Sequence, residues 1–188
     1  FMLLVNVGYT AWILPLFNTL TPLAEGEVRD KLLQYAAKVN FPVKHIFVMD
    51  GSKRSAKANA FFSGFGKRKK VVLYDTLLEQ HPPEELVAVL AHEIGHYKKK
   101  HLKWGMLISV LQVGLLLFLL GQVVFSESMS LALGGSSWSV HLNILGFTML
   151  FAPLSMVLGI GMNWLSRRHE FEADHYAKET YGGKPLAE

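Results

Sequence analysis

Apolar residues along this chain gather in three long runs, separated by a polar middle of mixed pattern. Residues 104–126 contain no Asp, Glu, Lys or Arg, and neither do residues 128–166. A helix that crosses hydrocarbon needs roughly 20 residues, so the two runs predict membrane-spanning helices over 104–126 and 139–165. The remaining run, 1–17, is apolar from its first residue. It predicts the end of a longer spanning helix, which makes the chain a piece of a larger protein. A signal peptide is the competing reading of that run, weakened by the lack of a basic leader and of a small-residue cleavage site.

The segment 21–103 is expected to lie outside the bilayer. Thr21-Pro22 breaks the first helix, and Glu25 to Val39 is amphipathic, with Val28, Leu32, Leu33, Ala36 and Val39 on one face. Three short β-branched or aromatic runs, Val43 to Met49, Asn59 to Phe65 and Lys70 to Tyr74, are divided by Asp50-Gly51-Ser52 and Gly64-Phe65-Gly66. They predict a small antiparallel sheet with one open edge. Pro82-Pro83 before Glu84-Glu85 starts a helix, because proline fits the first turn and carboxylates suit the positive end of the helix dipole. That helix, 84 to about 101, is expected to run with little interruption into the first spanning segment. Gly134-Gly135-Ser136-Ser137 marks the return loop, and residues 166–188 form a last helical region after the second span. The fold class expected is a mainly α membrane protein whose spanning helices carry a cytosol-facing α+β portion.

Composition agrees with lipid contact: 51% of residues are hydrophobic and the mean hydropathy is +0.25. The net charge of +4 does not point to nucleic acid. The basic residues cluster at Lys67-Arg68-Lys69-Lys70, at Lys98-Lys99-Lys100 with Lys103, and at Arg167-Arg168, and the last two groups flank the apolar runs. Cytoplasmic loops carry such an excess, and lysines there meet anionic headgroups. The chain has no cysteine, so a metal would have to be held by histidines and carboxylates.

His92-Glu93-Ile94-Gly95-His96 fits H-E-x-x-H. On a helix, residues four apart share a face, so both imidazoles can reach one zinc ion. Glu93 is displaced by about 100° around the helix, where it can serve the attacking water as general base. A catalytic zinc needs a third protein ligand and an open position. The extended metzincin pattern is excluded, because it requires a histidine where Leu102 stands. A second helix supplies the alternative: Glu170 as third ligand, with Asp174 on the same face one turn on, accepting a hydrogen bond from a ligand histidine. Glu172 points elsewhere.

One membrane hairpin between His96 and Glu170 returns both motifs to the same side, and the basic groups at its two ends place that side in the cytoplasm. Glu170 lies about 8 Å of helix beyond Leu165, whereas His92 precedes Trp104 by about 18 Å. Two straight spans would not align them. Tilted spans, or lysines snorkelling where 98–103 enters the interface, are the expected remedies.

Several blocks carry a resemblance: Gly51-Ser52-Lys53-Arg54-Ser55, Asn59-Ala60-Phe61, 71–78 (Val71 to Leu78), Leu90-Ala91 before the H-E-x-x-H, and Ser166-Arg167-Arg168 leading to Glu170 and Ala173-Asp174. Across almost its whole length the chain resembles the type 1 CAAX prenyl protease family, integral-membrane zinc metalloproteases of the gluzincin group. The resemblance implies a zincin-like metalloprotease portion facing the cytosol, a helical membrane barrel enclosing a chamber, one zinc ion per chain, and hydrolysis of a peptide or protein substrate near a prenylated C-terminus. The short connection from Leu78 to Glu84 suits a bacterial member, seated in the inner membrane. There, without protein prenylation, the expected duty is quality control of membrane proteins; a eukaryotic member would sit in the endoplasmic reticulum.

Two further expectations concern substrate and rivals. Asn59, Ala60 and Phe61 are candidates for an edge strand on which a peptide lies extended, against the plainer reading of Phe61 and Phe62 as core. A non-catalytic scaffold with a structural zinc is the rival function, and it would need His101, His169 or His175 as fourth ligand. His141 and Asn143 are read either as lining a water-filled chamber or as making helix–helix hydrogen bonds.

Overall fold

The computed structural model describes residues 19–53, 60–63 and 69–182. The first apolar run, Asn59 and the basic pair Lys67-Arg68 lie outside them. The chain divides into two compact units, one built from the residues up to Lys99 together with those from Glu170 onward, the other from Lys100–His169.

In the first unit, strands β1 (Leu20–Pro22), β2 (Val43–Met49), β3 (Ala60–Ser63) and β4 (Lys69–Tyr74) form one sheet in the order β1-β2-β4-β3. The expected antiparallel sheet is thus corrected to a mixed one. β1 and β3 each pair antiparallel with a neighbour, but β2 and β4 run parallel, with Ile46 opposite Val71 and Met49 opposite Tyr74. The reason is connection length. A parallel pair needs a crossover of a dozen or more residues, and residues 50–68, which include β3, supply it. Thr21-Pro22, expected as a helix break, lies in the edge strand β1, where a proline costs no ladder hydrogen bond.

The sheet packs against α1 (Glu27–Lys38) and α3 (Pro83–Lys98), with the short α2 (Asp75–Gln80) following β4. The predicted faces are the buried ones. Leu32 and Tyr35 of α1 meet Leu86, Leu90 and Ile94 of α3 in a core completed by Val71, Leu73 and Leu77, and Ala36 is buried as well. Burying such side chains stabilises by about 1.5–3 kcal/mol each. α3 starts as expected, with Pro83 in its first turn and Glu84 bridged to Lys31 at 2.5 Å.

Its end differs from expectation. The Lys99 N–H closes on the Gly95 carbonyl, and Lys100 takes a left-handed conformation at φ 61, so the helix stops before the apolar run begins. A left-handed residue past the last turn is a common helix terminator. α4 (His101–Val124) is therefore a separate helix and not the continuation of α3 that the sequence pattern suggests.

The second unit holds α4, the short α5 (Glu127–Ala132) and most of α6 (Val140–Thr180), which runs unbroken through Pro153 and Arg167-Arg168 and ends in the first unit. Both α4 and α6 are long and apolar enough to cross a membrane. Their connection is held by a polar knot. Asn143 donates to the carbonyls of Val124 (2.9 Å) and Ser126 (2.8 Å) and accepts from Ser130 Oγ (2.8 Å), while Trp138 Nε1 donates to Val124 at 3.0 Å. Those bonds occupy a carbonyl left over at the end of α4, that of Val124, and the N-cap carbonyl of α5, that of Ser126. Asn143 is therefore a helix–helix tie, and His141 is exposed.

Candidate metal centre

The site is assembled within the first unit from α3 and the last turns of α6. His92 and His96 stand one turn apart on α3, Glu170 and Asp174 one turn apart on α6, and the two helices touch between these pairs. A Cβ built on Gly95 would lie 3.0 Å from both the Cα and the carbonyl oxygen of Ala173. Such backbone-to-backbone closeness lets short side chains from both helices meet.

They do meet. His96 Nε2 lies 3.0 Å from His92 Nε2, and Glu170 Oε2 lies 3.3 Å from His92 Nε2 and 3.5 Å from His96 Nε2. Four-coordinate bonds of about 2.0–2.1 Å would set ligand atoms roughly 3.3 Å apart, so this triangle fits one divalent ion of that size. Two facing imidazole nitrogens beside a carboxylate oxygen form a donor set that a cation satisfies. Among the described residues, His92, His96 and Glu170 are the one group that could hold a metal.

The other ring nitrogen of His92 is also accounted for: Nδ1 lies 2.7 Å from Asp174 Oδ1. With Nδ1 as donor, the lone pair of Nε2 is left facing the triangle. Glu93 follows His92 on α3 and is partly buried. Burial pushes its carboxyl above the usual range, His92 pulls it down and Glu170 adds to the rise. A carboxylate held this way is a better proton acceptor than an exposed one.

The histidines proposed as a fourth ligand stand elsewhere. His101 and His169 stack on one another in the second unit, ring centroids 4.0 Å apart, and His175 pairs with Glu179 at 3.4 Å. Ala60 is buried on β3 opposite Leu73, and the backbone of Phe61 pairs with Val72; the Phe61 side chain and Asn59 lie outside the described residues.

A model of peptidase family M48 matches residues 22–186. The chain belongs to peptidase family M48. It is 40% identical over 183 residues to a CAAX prenyl protease 1 homolog of Arabidopsis thaliana, covering 95% of this chain and 42% of the relative. It is 36% identical to CAAX prenyl protease 1 of Saccharomyces cerevisiae, covering 89% of this chain and 41% of that one. The crystal structure of S. mikatae Ste24p superposes with a TM-score of 0.82 at 34% identity, covering 95% of this chain and 45% of that protein. The chain spans less than half the length of these relatives. Membership of a metalloprotease family implies a metal, and the triangle on α3 and α6 offers the donors for it.

Sequence reasoning overlooked two features. Gly95 stands at a variable position of H-E-x-x-H, yet a glycine inside a helix, about 1 kcal/mol worse than alanine, is a signal of close approach. The anchoring of the end of α6 was also missed. Tyr35 of α1 bonds Thr180 through its hydroxyl at 2.5 Å, and Lys38 donates to the Thr180 carbonyl at 2.8 Å. No sequence pattern foretells a contact across some 140 residues.

Proposed function

We propose that this M48 chain carries the catalytic centre of a membrane-embedded zinc metalloendopeptidase of the CAAX prenyl protease kind, acting at the cytoplasmic face. The observation that carries the reading is the triangle of His92 Nε2, His96 Nε2 and Glu170 Oε2, with edges of 3.0, 3.3 and 3.5 Å, backed by Asp174 on the far nitrogen of His92. His92, His96 and Glu170 would hold the zinc. When bound, zinc polarises the scissile carbonyl and makes water acidic enough to attack at neutral pH. Glu93 takes the proton from that water and passes it to the leaving amine, a role its raised proton affinity suits. Asp174 fixes the tautomer and orientation of His92.

With the three candidate histidines elsewhere, the site lacks a fourth protein ligand among the described residues, which favours a catalytic over a structural zinc. For substrate, β3 is the end strand of the sheet and lies beside α3. A peptide pairing with the outer edge of β3 at Ala60 and Phe61 would lie extended past the zinc helix. The prenylated C-terminus is taken from the names of the relatives. The bilayer reading rests on α4 and α6, and the cytoplasmic side on the lysines and arginines at the ends of the apolar runs.

The test is proteolysis of a prenylated CAAX peptide and of an unprenylated membrane peptide by the full-length protein, with and without chelator. Chelator-sensitive cleavage of the prenylated peptide is expected. Cleavage of the membrane peptide alone would move the duty to membrane-protein quality control, and cleavage that survives removal of metal would overturn the mechanism.

A further inference from the structure

We propose that Gly95 is the spacer that sets the width of the metal triangle, by letting the backbones of α3 and α6 touch at the height of the site. The inference rests on the metal-centre reading above. Gly95 stands three residues after His92 and one before His96; Ala173 stands three after Glu170 and one before Asp174. The single contact between Gly95 and Ala173 therefore lies axially within both pairs, about 60° around each helix from His92 and from Glu170.

The need at this position is for space, not for an unusual backbone. Gly95 is helical, and the glycines with positive φ are Gly26, Gly134 and Gly182. What a Cβ would meet at 3.0 Å is the Cα and carbonyl oxygen of Ala173, with Tyr176 Cβ at 3.3 Å. Backbone cannot swing aside as a side-chain tip can. Ordinary contact lies several tenths of an ångström further out, so an added methyl has to push α6 away from α3. Glu170 and Asp174 ride on α6, whereas His92 and His96 stay on α3. Metal–ligand distances tolerate only about 0.2 Å, so a shift of this size falls on the metal before it falls on the fold.

The direction of the shift makes the idea testable apart from stability. A widened triangle disfavours zinc more than cadmium, which takes longer bonds to the same donors. In full-length protein, competitive titration of Zn2+ and Cd2+ against Gly95→Ala is expected to show zinc affinity down by about tenfold, the lower end of what a disturbed ligand surround costs. Cadmium affinity falls less, so the ratio moves toward cadmium. Partial unfolding would lower both affinities together and leave the ratio alone, as Leu32→Ala in the core of the same unit is expected to do. Should Gly95→Ala not fold, Ala173→Ser enlarges the fully buried residue that Gly95 meets on α6 and is expected to move the ratio the same way by a smaller factor. An unchanged ratio in the folded variant overturns the spacer role. A parent protein that binds neither ion overturns the metal centre itself, a different failure.

Discussion

The two units bury opposite kinds of residue. In the unit carrying the candidate metal site, the fully buried side chains are apolar, among them Leu32, Leu73, Leu86 and Ile94. In the helical unit they are Ser130 and Asn143, both fully buried, then His101; Phe147 is the large apolar side chain buried there, while Leu102, Val110, Leu111, Phe118, Met149 and Ile160 are each more than 60% exposed. One pattern is that of a protein folded against water. The other suits hydrocarbon, where apolar side chains face outward at no cost and every polar group must find its partner inside. The candidate metal centre lies wholly in the first unit, on α3 and the last turns of α6.

The sharpest way to separate chemistry from framework is Glu93→Gln. Hydrolysis should fall by about 10²–10⁴-fold, the usual share of general acid–base catalysis, with stoichiometric zinc retained; loss of zinc on elemental analysis would make Glu93 a ligand. Next in size, Glu170→Ala should strip most of the zinc while Glu172→Ala leaves it in place. Equal metal content in the two would remove Glu170 from the triangle.

The contrast in burial is tested by a matched pair. Leu90→Ala should destabilise by about 2–5 kcal/mol, as large-to-small changes in a packed core do, whereas Leu111→Ala on the exposed face of α4 should change stability by less than about 0.5 kcal/mol in detergent unfolding. If Leu111→Ala costs as much, that face is packed in the whole protein and the two units are less different than they look. Asp174→Ala should weaken zinc binding by about 10–100-fold without abolishing it, since three ligands remain and His92 loses its orienting partner. Competitive titration distinguishes this from both a parent-like value and the deeper loss expected of Glu170→Ala. Asn143→Ala, which removes the amide's bonds to the Val124 and Ser126 carbonyls and to Ser130 Oγ, should cost about 1–3 kcal/mol, read as a lower unfolding midpoint with metal affinity unchanged.

What can be read from sequence here is whatever one helix or one stretch of chain decides locally. His92 and His96 share a face because they are four apart, and so do Glu170 and Asp174; the apolar runs announce helices for a membrane, and Pro83 with Glu84 and Glu85 announces the start of α3. Each follows from helical periodicity or from the solvent a segment needs. The joining of those pieces was another matter. That β2 and β4 run parallel depends on where an intervening strand leaves the chain, and that α3 stops at Lys100 depends on one left-handed residue that no side-chain pattern demands. Which histidine Asp174 would orient could not be read from its spacing to Glu170; only the crossing of α6 over α3 pairs it with Nδ1 of His92. The triangle itself depends on two backbones touching at Gly95 and Ala173, a distance set by packing between segments some 80 residues apart in sequence, where local propensity has no say.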